Sequence, residues 1–386
     1  MAVAYFSTRE LIPLYGVYAL LFEDYGLSTA QISSLFVIWS VTSFVSEIPS
    51  GAWADTVSRR GLLGGSAVLY SAGFAVWMLA PSYAGFAVGF VLWGVSGSLQ
   101  SGTFEALLYD ELTARGGSDR YAAIMGYANS GSQVCVLVAT LAAAPLFALG
   151  GYPLVGWISV AITVGNGLLV AALPSAPRRA ETSEFGPAHG VLSRYTRMLR
   201  EGAGEVFGDR LVRRAVVLTA LLTGFLAYDE YFTLVARDGG AETSEVPVLV
   251  AITVVGQVVG TALAGRTARM RGATMAVAVT VGAAALGAGA LLGGVWGFAA
   301  LGAGYGIVAN AMIVSEARLQ DSIRGSARAT VTSAAGFLSE VSAVVIYALF
   351  ALGSTWYSTA VLVAALSVPL LGTALLSRRW LPTLPG

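Results

Sequence analysis

The sequence contains no lysine and only one cysteine and one histidine in 386 residues. Its 22 cationic residues are all arginines, which excludes a lysine nucleophile or a lysine Schiff base. Cys135 has no second cysteine with which to form an internal disulfide, and His189 lies in a polar segment without metal-ligand partners. We therefore expect no enzyme, no metal site and no cofactor.

Charged residues are also scarce, at 11% of the chain against about 25% in soluble proteins. Hydrophobic residues make up 56%, and the mean hydropathy is +0.73. A soluble domain of this length would need more polar surface than this. The composition predicts a membrane protein whose main contact is the lipid bilayer, and we expect no nucleic-acid partner.

Apolar segments long enough to cross a membrane recur along the chain, since about 20 helical residues span about 30 Å of hydrocarbon. We number them spans 1 to 12: 5–24, 30–54, 61–80, 84–112, 121–149, 154–173, 211–235, 247–268, 273–292, 295–320, 328–351 and 356–377. The sequence thus predicts an all-α membrane protein with twelve transmembrane helices.

The arginines lie almost entirely in the segments that follow the even-numbered spans. Arg237 is predicted on the opposite side, and Arg9 lies within span 1. Because cytoplasmic loops carry the excess of arginine, both termini are predicted to be cytoplasmic. We expect a multi-pass protein of the cell inner (plasma) membrane.

An internal repeat divides the spans into two sets of six. A shift of 211 residues carries Phe104–Leu112 onto Ser315–Ile323 and aligns two acids in each segment. We expect these acids to pair with arginines of the adjacent loops, which in the second half are Arg269 or Arg271. The prediction is two pseudo-symmetric six-helix bundles, residues 1–173 and 211–386.

The segment 174–210 connects the two bundles and is the one long polar break. It opens with a proline-rich linker and continues with leucine, tyrosine and methionine at helical spacing between arginines. This pattern favours an amphipathic helix on the inner leaflet, although a solvated linker helix explains it equally well.

A short charged turn, Glu47–Gly61 with the sequence EIPSGAWADTVSRRG, joins spans 2 and 3. It resembles the loop between helices two and three of the major facilitator superfamily, roughly G-x-L-A-D-R-x-G-R-R. The matching residues are Gly51, Ala54, Asp55, Arg59 and Arg60. The departures are Trp53, Thr56 and Ser58, so the loop pattern is incomplete.

The resemblance implies a secondary transporter whose two bundles rock around a central cavity by alternating access. In that family such pairs of a loop arginine and an acid of helix four latch the halves together when the transporter faces outward, which would here join Arg59 or Arg60 to Asp110 or Glu111. Asp55 would face the N-terminal end of span 11, where free N–H groups carry partial positive charge. Simple anchoring at the interface is the alternative for these residues.

Charges inside the spans that the repeat does not explain are the candidates for substrate or proton work. They are Glu340 in span 11, Asp229 and Glu230 in span 7, and Arg9 and Glu10 in span 1. An ionised side chain at the bilayer centre costs about 3 kcal/mol or more, so it needs a wet cavity or a partner. Glu340 is predicted either to carry a proton or to make an interhelical hydrogen bond. Arg9 either neutralises Glu10 or a nearby acid, or binds an anionic substrate.

Uncharged polar residues within the spans point to the same interior. Asn129 and Gln133 are four residues apart in span 5 and therefore share a helix face. The further candidates for the cavity lining are Asn310, Gln257 and Tyr231. For each amide alone, a hydrogen bond between neighbouring helices is the simpler explanation.

We conclude from the sequence that the chain is a monomeric transporter of a small molecule. Acids outnumber bases within the spans and aromatic residues accompany them, which favours proton-coupled efflux of hydrophobic or cationic compounds. Proton-coupled uptake of an anionic or zwitterionic solute, which Arg9 would suit, is the alternative. The expected partners are the substrate, protons and lipid.

Overall fold

The computed structural model describes residues 1–56, 58–173, 209–323 and 328–383, without the side chains of 48–56 and 328–330. Within these ranges every regular element is helical, and no strand is present. Eight of the described helices are long and apolar enough to cross a membrane. The predicted all-α class is confirmed, whereas the predictions for the linker fall on residues outside the described ranges.

The helix bounds follow the predicted spans closely. In the first half the helices are Ala2–Thr8, Tyr18–Asp24, Thr29–Thr56, Arg59–Leu79, Tyr83–Gln100, Thr103–Ala114 and Tyr121–Ala171. In the second half they are Arg210–Phe225, Phe232–Asp238, Val246–Ala262, Ala264–Thr267, Gly272–Leu292, Gly294–Ser322, Arg328–Gly353, Thr359–Ala365 and Ser367–Trp380. The range Tyr121–Ala171 contains both span 5 and span 6. The two spans are separated by a kink at Gly150 and Gly151, whose backbone angles are not helical.

Serine side chains begin three of these helices. Ser58 Oγ accepts the Gly61 N–H at 3.1 Å, Ser82 Oγ accepts the Gly85 N–H at 3.3 Å, and Ser358 Oγ accepts the Val361 N–H at 3.4 Å. Each bond satisfies one of the four N–H groups that the first turn of a helix leaves free. Spans 3, 4 and 12 therefore start where a serine follows a short turn.

The chain divides into two compact units. Unit 1 comprises Met1–Gly26 and Ile38–Arg194, and unit 2 comprises Leu27–Val37 and Tyr195–Gly386. In unit 1, spans 1 and 3 each pack against the range Tyr121–Ala171, which contains spans 5 and 6. Span 3 also packs against span 4. In unit 2, span 10 packs against spans 8 and 9, span 9 against span 12, and span 7 against span 11.

Two helices of unit 2, spans 8 and 10, approach each other through glycine. A methyl group added at Gly306 would meet the carbonyl oxygen of Gly256, and one added at Gly260 would meet the carbonyl oxygen of Gly306. Asn310 closes the same contact from span 10 by donating to the Gly260 carbonyl at 2.9 Å. Small residues are thus required here because the two backbones are in direct contact.

Five of the predicted spans are interrupted in the structure. Spans 8 and 12 are each divided into two helices, as given above. Span 1 breaks after Thr8 and continues as the 3₁₀ turn Pro13–Gly16, since Pro13 offers no N–H to the helix before it. Span 4 breaks at Gly102, whose φ of 70° is left-handed. Span 7 changes to a 3₁₀ turn over Leu226–Tyr231, and the predicted spans gave no sign of these interruptions.

In each unit an aspartate at the end of the first span, on the side predicted to be outer, forms a hydrogen bond with a residue at the start of the sixth span. In unit 1, Tyr152 Oη donates to Asp24 Oδ2 at 2.5 Å. In unit 2, the Ala360 N–H donates to Asp238 Oδ2 at 3.2 Å. A left-handed glycine follows each aspartate by two residues, Gly26 in one unit and Gly240 in the other. The aspartate and the glycine that follows it are therefore repeated in both units. The alignment of Phe104–Leu112 with Ser315–Ile323 did not include this feature.

We predict that Gly306→Ala destabilises the protein by about 1–3 kcal/mol, because the added methyl group forces spans 8 and 10 apart. Thermal unfolding of the purified protein in detergent measures the change. Gly97→Ala is the matched control, since nothing lies within 4 Å of a methyl group at that helix position. Equal unfolding temperatures for the two variants would contradict the close contact.

Candidate functional site

Arg9 lies at the break of span 1 and is 7% exposed. Its guanidinium donates to Ser66 Oγ and to Ser96 Oγ, each at 3.2 Å, and lies 4.4 Å from the centre of the Tyr70 ring. Ser66 and Ser96 also donate to each other's carbonyl oxygens at 2.8 Å, which joins spans 3 and 4 beneath the arginine. The cation is therefore held by hydroxyls and an aromatic face.

Side chains of span 6 cover the backbone groups that the break in span 1 exposes. Asn166 Nδ2 donates to the Tyr5 carbonyl at 2.7 Å and to Thr8 Oγ1 at 2.9 Å. Ser159 Oγ accepts the Leu14 N–H at 3.1 Å. Asn166 was missed by the sequence analysis, and a single amide in an apolar span is the signal that would have suggested it.

Glu10 follows Arg9 directly and is half-buried. No described residue donates a hydrogen bond to its carboxylate, and no described guanidinium group lies within 4.0 Å of it. Arg9 is close enough for its charge to act on Glu10 without forming an ion pair. Arg9 and Glu10 therefore do not form an ion pair in the structure. The sequence analysis had given such a pair as one of two alternatives for Arg9.

The break of span 7 carries Asp229 and Glu230 in unit 2. Tyr305 of span 10 donates to Asp229 Oδ2 at 2.7 Å and lies 3.4 Å from the Leu226 carbonyl at the start of the 3₁₀ turn. Its ring packs edge-on against Tyr228 and Phe232. Tyr305 therefore fixes both the acid and the backbone of the break, and the sequence analysis did not identify it.

Tyr231 is fully buried in an aromatic group of unit 2. It stacks on Phe350 with ring centres 3.7 Å apart, and its hydroxyl donates to Ser33 Oγ at 2.7 Å. The neighbouring Tyr347 lies within electrostatic range of Glu230, Asp229 and Glu340. The three acids predicted in spans 7 and 11 thus share an electrostatic interaction with one tyrosine.

Glu340 is half-buried on span 11. It shares a helix face with Tyr347, two turns further along the same helix. The exposed aliphatic side chain of Val345 lies about 140° around the helix from Glu340, at about 100° per residue. Glu340 therefore does not point in the direction of the exposed aliphatic side chains.

The amides of span 5 show the same separation of faces in unit 1. Asn129 is exposed and Gln133 is half-buried, and neither makes a hydrogen bond with a described residue. The exposed residues Val134 and Val138 lie about 140° around the helix from them, one for each amide. The two amides thus occupy a polar face distinct from the aliphatic one.

The amides of unit 2 differ in their use. Asn310 donates to the Gly260 carbonyl and accepts from Thr267 Oγ1 at 3.0 Å, so both of its polar atoms join spans 8 and 10. Gln257 is half-buried and makes no hydrogen bond with a described residue. Of the two, Gln257 keeps its amide available.

At the end of unit 1 that is predicted to be cytoplasmic, the Arg59 guanidinium forms an ion pair with Asp110. Arg60 donates instead to the Ala171 carbonyl at the end of span 6. The remaining predictions for this loop, Gly51 and Asp55, concern side chains outside the described part of the chain. Their role stays a prediction.

The corresponding end of unit 2 is built differently from the prediction. Glu316 and Asp321 are exposed, and no described arginine lies within 4.0 Å of either, so the expected pairs with Arg269 or Arg271 are not formed. Arg318, 4% exposed, lies inside the unit and donates to the carbonyl oxygens of Ala268, Met270 and Pro382 at 2.8–3.2 Å. Carbonyl groups at helix ends carry partial negative charge, so this cation needs no acid.

Comparison with known proteins decides the family. A family model described as Major Facilitator Superfamily matches residues 1–347. The chain belongs to the Major Facilitator Superfamily. It is therefore a membrane transporter rather than an enzyme. No curated protein sequence matches this major facilitator significantly.

Solved structures of similar fold include the nucleoside transporter NupG, with a TM-score of 0.75, 11% identity and 98% of each chain covered. A point mutant of NupG has a TM-score of 0.77 and 10% identity, covering 98% of this chain and 97% of that one. A bacterial homologue of the human lysosomal transporter Spinster, inward-facing and unoccupied, has a TM-score of 0.67 and 16% identity over 100% and 98%. These likenesses confirm the major facilitator fold.

In this major facilitator we predict a coupling energy of about 0.5–1 kcal/mol between Arg59 and Asp110, because the pair is partly screened by solvent. A double-mutant cycle with Arg59→Ala and Asp110→Ala, read by thermal unfolding, measures it. The comparison cycle uses Arg115 and Glu111, an i,i+4 pair whose arginine is 69% exposed, for which about 0.3–0.5 kcal/mol is expected. No coupling between Arg59 and Asp110 would contradict a stable ion pair.

We also predict that Tyr305→Phe lowers transport and stability together, by about 1–3 kcal/mol in stability, because Asp229 loses its hydroxyl donor. Proteoliposome flux and thermal unfolding measure the two effects. Tyr357→Phe, at a side chain that is 60% exposed, is the control and should change neither. If Tyr305→Phe matches the wild type in both assays, Tyr305 does not position Asp229.

Proposed function

We propose that this major facilitator is a proton-coupled secondary transporter that exports hydrophobic or cationic small molecules by alternating access. The observation that carries the proposal is the acidic group of unit 2, in which Tyr305 holds Asp229, Glu230 is the next residue, and Tyr347 interacts electrostatically with Asp229, Glu230 and Glu340. Carboxylates at this depth are costly in hydrocarbon, so they are retained where they serve protons or a solute. Arginine is absent from this group.

The interruption of span 7 supports the same proposal. Transporters place coupling groups on discontinuous helices near the bilayer midplane, where unwound backbone lines a wet cavity. Asp229 and Glu230 lie within such an interruption, and Tyr305 holds one of them in place. Because the 3₁₀ turn is a local alternative to the α-helix, it also offers a place where span 7 can change shape.

The polar faces of spans 5 and 11 support solute binding. Asn129, Gln133 and Glu340 are at least partly accessible, and each lies away from the exposed aliphatic side chains of its helix. We assign Asn129, Gln133 and Gln257 to the lining of the solute site. Tyr231 belongs to this set by sequence, although its side chain is fully buried in this structure. Asn310 belongs to this set by sequence, although both of its polar atoms bind span 8 in this structure.

Proton-coupled uptake of an anionic or zwitterionic solute is the second candidate. It depends on Arg9 as the anion-binding group. In the structure Arg9 is covered by Ser66, Ser96 and Tyr70 and is only 7% exposed. This coverage favours export of neutral or cationic solutes over uptake of anions.

The proposed setting is the cell membrane, with both termini in the cytoplasm and a single chain as the working unit. The arginines at the ends of spans 2, 4, 10 and 12 support this orientation by the positive-inside rule. The Arg59–Asp110 pair, with Gly51, Asp55 and Arg60, is assigned to gating on the cytoplasmic side. The division into bundles 1–173 and 211–386 with linker 174–210 is part of the same proposal.

We predict that Glu340→Gln stops solute movement driven by a pH gradient but preserves exchange of labelled for unlabelled solute. Glutamine imitates the protonated carboxyl group, and exchange moves no net protons. The solute is first identified by a ligand thermal-shift screen of purified protein, and flux is then measured in proteoliposomes with and without a pH gradient.

Glu316→Gln, an exposed acid of span 10, is the control and should keep both activities. Full pH-driven accumulation by Glu340→Gln would show that Glu340 is a structural hydrogen-bonding residue. Loss of exchange as well as of driven flux would place Glu340 in solute binding instead of proton coupling.

A further inference from the structure

A carboxylate without a partner among the described residues lies at the break of span 1. Glu10 is half-buried, and the described residues supply neither a hydrogen-bond donor nor an ion-pair partner to it. An ionised carboxylate within a membrane span is costly unless water or a cation reaches it. Glu10 is therefore able to bind a cationic partner that no described residue provides.

Arg9 does not fill that role, although it is the adjacent residue. Its guanidinium is directed to Ser66 and Ser96 and lies over the Tyr70 ring. With 7% of the residue exposed, its charge is covered by protein atoms. The group that the break presents to an approaching solute is thus the carboxylate and not the guanidinium.

Aromatic rings of unit 1 lie near the break that carries this carboxylate. Glu10 directly follows Arg9, whose guanidinium lies 4.4 Å from the centre of the Tyr70 ring, and the Tyr70 hydroxyl is hydrogen-bonded to that of Tyr15. Tyr15 also interacts electrostatically with Glu10. The Tyr15 ring stacks on Trp93 with centres 5.3 Å apart and planes within 10°. The centre of the Trp39 ring lies 5.1 Å from that of Trp93. We call Tyr15, Trp39 and Trp93 the ring group.

The ring group differs from the aromatic residues behind it in being accessible. All three rings are half-buried, whereas Phe90 and Trp77, which contact Trp93, are at most 1% exposed. The Trp77 indole N–H donates to the Phe86 carbonyl at 3.0 Å. The indole N–H groups of Trp39 and Trp93 donate to no described residue. Both aromatic surface and hydrogen-bond donors are therefore available to a ligand.

We propose that Glu10 and the ring group form a binding subsite of unit 1 for a planar aromatic cation. The carboxylate supplies the opposite charge, and the accessible surfaces of Tyr15, Trp39 and Trp93 supply aromatic contact and cation–π attraction. An accessible acid beside several aromatic rings selects an organic cation over an anion or a neutral ring of equal shape. The inference rests on the proposed export function and names its substrate class.

The test compares two ligands of equal shape and different charge. N-methylquinolinium is a planar cation, and 2-methylquinoline at pH 8 is its neutral counterpart. Binding to the purified full-length protein in detergent is measured by isothermal titration calorimetry. The wild type should bind the cation more tightly than the neutral ring.

Glu10→Gln should weaken binding of N-methylquinolinium about tenfold or more and change binding of 2-methylquinoline less than about twofold. Trp93→Leu should weaken both ligands about three- to tenfold, because both lose the same accessible aromatic surface. Retained binding of the neutral ring shows that Glu10→Gln is folded. Glu316→Gln and Trp296→Leu, both at exposed positions, are the controls and should leave both affinities unchanged.

Three results would overturn the subsite: no saturable binding of N-methylquinolinium to the wild type, equal weakening of both ligands by Glu10→Gln, or wild-type affinities in Trp93→Leu. Binding in detergent needs no proton gradient, so it is independent of the coupling proposed for Glu340. Cation binding that depends on Glu10, without pH-driven flux, supports the subsite and contradicts proton coupling. Flux of another solute driven by a pH gradient, without binding of N-methylquinolinium, supports proton coupling and contradicts the subsite.

Discussion

Inside a bilayer every backbone N–H and C=O group must find a partner within the protein or in a wet cavity, and this requirement governs where the helices here can be interrupted. The break in span 1 exists because Asn166 and Ser159 of span 6 bind its freed backbone groups. The break in span 7 is accompanied by Tyr305, whose hydroxyl reaches both the backbone and Asp229. Polar residues of the neighbouring spans are therefore needed to stabilise the interruptions that carry the candidate site residues.

The two interruptions give the two units different chemistry on a related frame. In unit 1 an arginine is enclosed by serines and a tyrosine, and a glutamate beside it stays accessible. In unit 2 the interruption carries two acids and no cation. The proposed coupling of a solute to protons would use this division, because a change in one group need not alter the charge of the other.

Much of the fold could be predicted from the sequence, because hydrocarbon thickness sets the length of each apolar segment. The helix bounds of spans 2, 3, 9 and 10 lie close to the predicted ones for this reason. The interruptions could not be predicted in the same way. Pro13 is compatible with a kinked helix as well as with a break, and nothing within Leu226–Tyr231 forbids an α-helix.

The candidate site shows the same limit. Charge and position within a span were enough to select Glu10, Asp229 and Glu340 as candidates. Their hydrogen-bond partners could not be predicted, because these depend on which helix faces meet. Asn166 and Tyr305 were missed because a lone amide or tyrosine in an apolar span carries no signal of its partner. The pairs expected for Glu316 and Asp321 failed because the repeat predicts equivalent positions, whereas the arginine that enters unit 2 is Arg318.

Arg318 also bears on how the C-terminal end of the chain can be altered. One of its N–H groups donates to the Pro382 carbonyl, beyond the last helix, while others bind the loop that follows span 8. Removal of the residues after Trp380 would leave a donor of a 4% exposed guanidinium without its acceptor, at a cost of about 1–3 kcal/mol. A fluorescent or affinity tag is therefore best joined after Pro382, with a flexible spacer that leaves this carbonyl in place.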